Sequence, residues 1–231
     1  MDSVEHLMQF NITRQEAVIY LTLLAQEQQS GYEVAKRTGI SRSNAYTSLA
    51  TLVEKGAAFT VEDVATLYAP VPIAEFCENR IRQLQKTKLL LLEEVPQKND
   101  GPQGYITIKG QAHIVDKMRN MIVSAHERVY LSAAKSVLLN VTMELTAGIE
   151  RGLKIVLITD AEMALAKATI YTMKKTQVPI RLIADSSHVL TGDLYGDNPT
   201  CLYSAKKNLV DLLKDSLKNE IQLIKLMKGS T

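Results

Sequence analysis

The sequence predicts a protein in two parts, a winged helix-turn-helix and an α/β domain, joined by one long amphipathic helix. Three observations carry this mixed α+β and α/β assignment. Two Ser/Thr-x-x-Glu boxes and a further Ser cap start short helices before Gly56, and only Gly39 and Ile40 separate the last two. After Gly56 the apolar residues switch to a period of two, the mark of strands. From Tyr105 onward short apolar runs alternate with amphipathic stretches, as in a sheet flanked by helices.

Thr13-Arg-Gln-Glu16 is a capping box: hydroxyl and carboxylate each satisfy an orphan helix N–H. The helix it opens is expected to run to Gln26 with Ala17, Leu21 and Leu24 inward. Ser30-Gly-Tyr-Glu33 repeats the device, and that helix ends at Gly39. Ser41 then caps a third helix whose Ala45, Leu49, Leu52 and Val53 share one face. Ala58–Val61 and Ala65–Tyr68 around Glu62-Asp63-Val64 read as a β-hairpin, which completes a winged helix over 1–72. Its acidic tip suits packing better than a grip on phosphates.

Pro70 and Pro72 end the hairpin, and residues 73–98 form a long helix and linker. Ile73, Cys77, Ile81 or Leu84, Leu91 and Val95 recur at three- and four-residue steps among Gln, Lys, Arg and Glu. An apolar seam of this kind seeks a partner helix, so a dimer coiled coil is expected ahead of packing onto its own domain. Pro96 to Gly104 is a linker by composition. Within 99–231 the strands expected are 105–108, 128–133, 154–158, 180–184, 188–190 and 201–203. Helices are expected over 111–125, 137–151, 162–174 and 206–227.

The 231 residues suffice for two modest cores, and 46% apolar with 23% charged describes an ordinary globular chain. No apolar run approaches a membrane span, and the start lacks a basic-then-apolar leader, so a cytoplasmic protein is expected. Cys77 and Cys201 form no framework, and His6, His113, His126 and His188 lack paired ligand spacing, so neither metal nor cofactor is expected. Residues 1–72 hold five basic against eight acidic side chains, which counts against a non-specific nucleic-acid binder.

The Ser41 helix is the candidate functional element. Its outer face carries Arg42, Ser43, Asn44, Thr47 and Thr51, where a merely soluble helix would carry Glu and Lys. Short donors and acceptors behind a Ser cap suit insertion into a DNA major groove. Ser41, Arg42, Ser43, Asn44, Tyr46, Thr47 and Thr51, with Lys36 and Arg37 toward phosphates, are the candidate DNA contacts. Tyr46 is expected to pack against the first helix while its hydroxyl reaches outward.

The first ~95 residues resemble the TrmB family of transcriptional regulators. The residues that carry the resemblance are Phe10 to Leu24, Ala35-Lys-Arg-Thr-Gly-Ile-Ser-Arg-Ser-Asn-Ala-Tyr46, Leu49-Ala-Thr-Leu-Val-Glu-Lys-Gly56 and Tyr68-Ala-Pro70. The resemblance implies a homodimeric DNA-binding regulator, dimerised through the helix after Pro72, with a regulatory second domain. That domain looks like a degenerate phospholipase-D-like domain, whose enzymes carry His-x-Lys-x-x-x-x-Asp. The matching frame here reads Val178, Ile180 and Asp185, and neither Val nor Ile can attack phosphorus or hold its charge. Phosphodiester catalysis is therefore not expected, and Asp185 reads as a turn residue. A small-molecule effector is expected at the carboxyl ends of the strands, around Lys135, Ser136, Asp160 and Asp185.

The expectation is a sequence-specific transcriptional regulator, read as a repressor, acting as a homodimer on a double-stranded DNA operator. The alternatives are a phosphodiesterase or nuclease that uses its winged helix to find DNA, and a protein-interaction winged helix.

Overall fold

The computed structural model describes residues 2–62, 66–96, 104–173 and 178–229. The chain divides into two compact units, Met1–Gln97 and Lys98–Thr231.

In the first unit α1 (Ser3–Met8) precedes α2 (Arg14–Gln26), α3 (Gly31–Thr38) and α4 (Arg42–Glu54). Both capping boxes form: Thr13 and Ser30 each accept the backbone N–H of a Glu three residues on, whose carboxylate returns to the cap. Gly39 closes α3 at φ 72, a left-handed conformation that costs glycine little. A three-stranded antiparallel sheet follows the order β1 (Gln29–Ser30), β3 (Leu67–Pro70), β2 (Ala58–Val61). The second wing strand thus starts at Leu67, later than the hairpin pattern predicts, and Asp63, Val64 and Ala65 lie outside the described residues.

The inner face of α2 is also rotated from expectation. Ile19, Tyr20 and Leu23 are wholly buried beside Ala17, whereas Leu21 and Leu24 are only half-buried. The cause is the packing of Phe76 and Val71 over Tyr20, whose ring lies 5.5 Å from Phe76 and whose hydroxyl donates to the Val71 carbonyl at 2.7 Å. Burial raises that phenol to about 12. Each fully buried Leu here contributes on the order of 2 kcal/mol.

Helix α5 spans Ile73–Glu94, and Phe76 is its one buried residue among those described. Cys77 is half-buried, while Ile73, Ile81, Leu84, Leu91 and Val95 are all exposed, as are Leu89, Leu90 and Leu92.

The second unit is a seven-stranded mixed sheet in the order β4 (Tyr105–Lys109), β10 (Thr200–Ser204), β9 (His188–Asp193), β8 (Ile180–Ala184), β5 (Arg128–Ser132), β6 (Lys154–Thr159), β7 (Thr169–Thr172). Strands β5, β6 and β7 are parallel and the remaining pairs antiparallel. Helices α6 (Gln111–Ser124), α7 (Lys135–Leu138) and α8 (Thr142–Glu150) share one core with the sheet, built on Ile114, Met118, Leu131, Leu138, Leu145 and Leu157. Helix α9 (Lys207–Gly229) covers the other side with Val210, Leu213, Leu217 and Ile224. Gly192 of β9 leaves room for β10: a Cβ there would stand 2.2 Å from the Thr200 carbonyl oxygen.

Two expectations for this unit are corrected. The helix expected over 162–174 does not form in the described residues 162–173; Thr169–Thr172 extends the sheet as β7, because Thr169, Ile170, Tyr171 and Thr172 are β-branched or aromatic and pair with the open edge of β6. The helix over 137–151 is interrupted by a 3-10 turn at Leu139–Val141.

Candidate nucleic-acid interface

Helix α4 is braced from behind and open in front. Ser41 caps it, its Oγ accepting from the Asn44 amide at 3.4 Å, and Ala45, Ser48, Leu49 and Leu52 are buried against the unit. At its far end Lys55 donates to Glu16 at 2.6 Å, and Glu16 also accepts from the Thr13 amide at 2.7 Å. Burial alone would raise the Glu16 carboxyl, but the Lys55 ammonium and the Thr13 bonds outweigh it and hold it below the usual carboxylate range. One ionised carboxylate thus ties the start of α2 to the end of α4.

Of the candidate contacts, Ser41, Arg42, Ser43, Asn44, Tyr46 and Thr47 are exposed and Thr51 is half-buried; Lys36 and Arg37 are exposed on α3. Thr47 and Thr51 already donate to the carbonyls one turn back, at 3.0 and 2.9 Å, so their hydroxyls remain chiefly as acceptors. Among the described residues, the side chains of Ser43 and Asn44 make no protein hydrogen bond. Arg37 borders a groove lined by Val18, Leu21, Thr22 and Ala25 of α2.

Two aromatic contacts order the front of the helix-turn-helix. The Arg42 guanidinium stacks 4.5 Å from the centre of the Tyr32 ring. Tyr46 lies on Gly31: a Cβ on Gly31 would be 2.5 Å from its ring. The first turns of α3 and α4 therefore meet through Gly31, and any larger residue there would displace Tyr46. Sequence reasoning missed Tyr32, although an exposed aromatic inside a capping box was a visible signal.

The second unit divides the expected effector residues. Lys135, Ser136 and Asp160 lie together at one end of the sheet: Asp160 accepts from the Lys135 amide at 2.8 Å, Lys135 Nζ donates to the Glu162 carbonyl at 2.7 Å, and the Ser136 carbonyl accepts from Asn140 at 2.9 Å. Asp185 stands at the opposite end, because β8 runs antiparallel to β5 and its carboxyl end faces the start of that strand. It carries φ 47, and its two oxygens accept the backbone N–H groups of His126, Glu127 and Arg128 at 2.8–2.9 Å. Burial pushes its carboxyl upward, but those three bonds and the nearby His126 outweigh it, and the group sits below the usual range. Grouping Asp185 with Lys135 and Asp160 assumed parallel strands, which the register corrects. Val178 and Ile180 are half-buried and buried, with no chemistry to offer a phosphodiester.

Two family models match this chain: "Sugar-specific transcriptional regulator TrmB" over residues 7–74, and "Transcriptional regulator TrmB, EBD N-terminal subdomain" over 104–212. The chain belongs to the TrmB family. Among curated relatives, the uncharacterized protein YrhO of Bacillus subtilis is 29% identical over 168 residues, covering 71% of this chain and 61% of its own length. The HTH-type sugar sensing transcriptional regulator TrmBL1 of Pyrococcus furiosus is 29% identical over 136 residues, covering 56% of this chain and 39% of its own. This TrmB-family chain therefore spans about three fifths and two fifths of the length of those relatives.

Among solved structures, TrmBL2, described as an archaeal chromatin protein with a novel mode of DNA binding, is 20% identical with a TM-score of 0.47 and covers 95% of this chain and 97% of its own. The phospholipase D family member Nuc from Salmonella typhimurium is 12% identical with a TM-score of 0.40 and covers 50% of this chain and 93% of its own. Among the described residues no helix is long and apolar enough to cross a membrane, and no group of His, Cys, Asp or Glu is arranged to hold a metal.

Proposed function

We propose that this TrmB-family chain is a sequence-specific DNA-binding repressor that acts as a homodimer and responds to a small-molecule effector. The observation that carries the reading is the open face of α4. Arg42, Ser43, Asn44, Tyr46 and Thr47 project outward from a helix whose back is wholly buried, and Arg42 is held ready by Tyr32. A helix so braced can enter a major groove with little loss of freedom, since its aliphatic side leaves it one orientation. Arg42, Lys36 and Arg37 supply the phosphate attraction, and the acidic balance of residues 1–72 keeps non-specific affinity low.

Dimerisation through α5 rests on Ile81, Leu84, Leu91 and Val95, exposed along this 22-residue helix and at its C-cap. Steps of three, seven and four residues fit a coiled-coil seam, with Ile73 and Cys77 nearer the winged helix. Two α4 helices would then enter successive major grooves ~34 Å apart on a pseudo-palindromic operator. The effector would bind the second unit and change the setting of the winged helices by shifting a pre-existing equilibrium.

The test is a fluorescence titration against the upstream DNA of its own gene. The double variant Arg42→Ala/Asn44→Ala is expected to lose binding by about a hundredfold, in line with ~1–3 kcal/mol for each specific contact. Unchanged affinity in that variant, with its circular dichroism intact, would refute α4 as the reading element.

A further inference from the structure

A cleft of about 390 Å³ opens at the end of the sheet opposite to Lys135 and Asp160, where the last turns of α6 meet the β8–β9 turn and β10. Lys117, Asn120 and Ser124 enter it from α6, His126 from the following loop, and Ser187 and His188 from the turn. Lys117 Nζ rests 3.6 Å from the centre of the Tyr203 ring, and the His188 ring lies nearly parallel to the same ring, 6.0 Å away at 11°. Ser187 Oγ, 2.8 Å from His188 Nδ1, holds the imidazole in place and leaves its Nε2 for another partner.

In this cleft the acidic group is already hydrogen-bonded and, among the described residues, several of the donors are not. Asp185 is its lining carboxylate, and both of its oxygens are already bonded to backbone N–H groups. Two of the last carbonyls of α6, which would repel an anion, are occupied by Arg151, whose guanidinium takes Ile122 and Val123 at 3.3 and 3.1 Å. Among the described residues no protein acceptor is bonded to Lys117 Nζ, the Asn120 amide, the Ser124 hydroxyl or the His126 ring. Burial pushes the Lys117 ammonium below its ordinary value.

We propose that this cleft binds a small organic oxyanion, with its charged group held by Lys117, His126 and His188 and its organic part against Tyr203. The space exceeds what a bare phosphate needs, and the Tyr203–His188 wall offers the remainder a flat, partly apolar surface. A phosphate ester and a carboxylate share this chemistry, and separate probes distinguish them. The site stands apart from the DNA reading.

The experiment is titration calorimetry on the full chain without DNA, using inorganic phosphate, phenyl phosphate and benzoate. Saturable binding of phenyl phosphate or benzoate is expected, at least tenfold tighter than inorganic phosphate. Lys117→Met is expected to weaken it tenfold or more with little change in Tm, since among the described residues the half-buried Lys117 makes no ion pair and Met keeps the packing on Tyr203, and the exposed His126→Gln several-fold. Lys214→Met, in a different basic recess, is expected to change nothing. No saturable heat with any of the three probes overturns the proposal. So does affinity unchanged in both Lys117→Met and His126→Gln, or an equal loss in Lys214→Met.

Discussion

The helix starts of the winged-helix unit and the strand ends of the sheet unit are anchored by polar side chains at different ranges. In the winged-helix unit, Thr13 and Glu16, Ser30 and Glu33, and Ser41 with the Asn44 amide are each three residues apart. In the sheet unit Asp185 reaches back to residues 126–128, Asp160 to Lys135, and Arg181 of β8 to Glu220 of α9. Local pairs define where helices begin; distant pairs define which strand lies beside which. The cost of removing each kind should differ accordingly.

The largest effect is expected at Arg181, which is paired with Glu220 and donates to Ser132 at 2.8 Å and Ser216 at 3.1 Å between sheet and helix. Glu220→Leu leaves that guanidinium buried and should cost about 3–5 kcal/mol in urea unfolding. The double variant Arg181→Leu/Glu220→Leu should cost less than the single change; a larger cost would show that the pair itself stabilises the unit.

Next comes Asp185→Asn, which replaces an acceptor by a donor facing backbone N–H groups and should cost about 2–3 kcal/mol. Its pH signature has a definite sign. The folded carboxyl lies below its ordinary value, so its contribution is present above the unfolded carboxylate pKa and fades as the pH falls through the folded one. Stability of Asp185→Asn should therefore fall less between neutral and acid pH than that of the parent, as measured by denaturation at stepped pH.

Thr13→Ala and Ser30→Ala should each cost about 1 kcal/mol, since only a local cap is lost. If either matched Asp185→Asn, the contrast between local and distant anchors would fail. The smallest effect is expected at Asn44→Ala, within about 0.5 kcal/mol by thermal melting, because its side chain faces outward and braces nothing.

Legibility followed the same division. Capping boxes, the tight turn at Gly39-Ile40 and the buried Ala45–Leu49–Leu52 face were readable because each is written within one or two helical turns. The strand at Thr169–Thr172 was read as helix because its pairing partner, Val156–Thr159, is remote and supplies the reason for extension. Tyr46 on Gly31 and Arg42 over Tyr32 were missed because both join helices across a turn.

By itself the sequence determined the helix starts of the winged helix, the outward-facing residues of α4 and the apolar run of α5, since capping and 3.6-residue periodicity act over a few bonds. Only the tertiary structure decided the order and direction of seven strands. With it came the separation of Asp185 from Lys135 and Asp160, and the gathering of Lys117, His126 and His188 at one cleft. Hydrogen bonding between strands is set by which chains meet in space, and side chains far apart in sequence become one site only through that pairing.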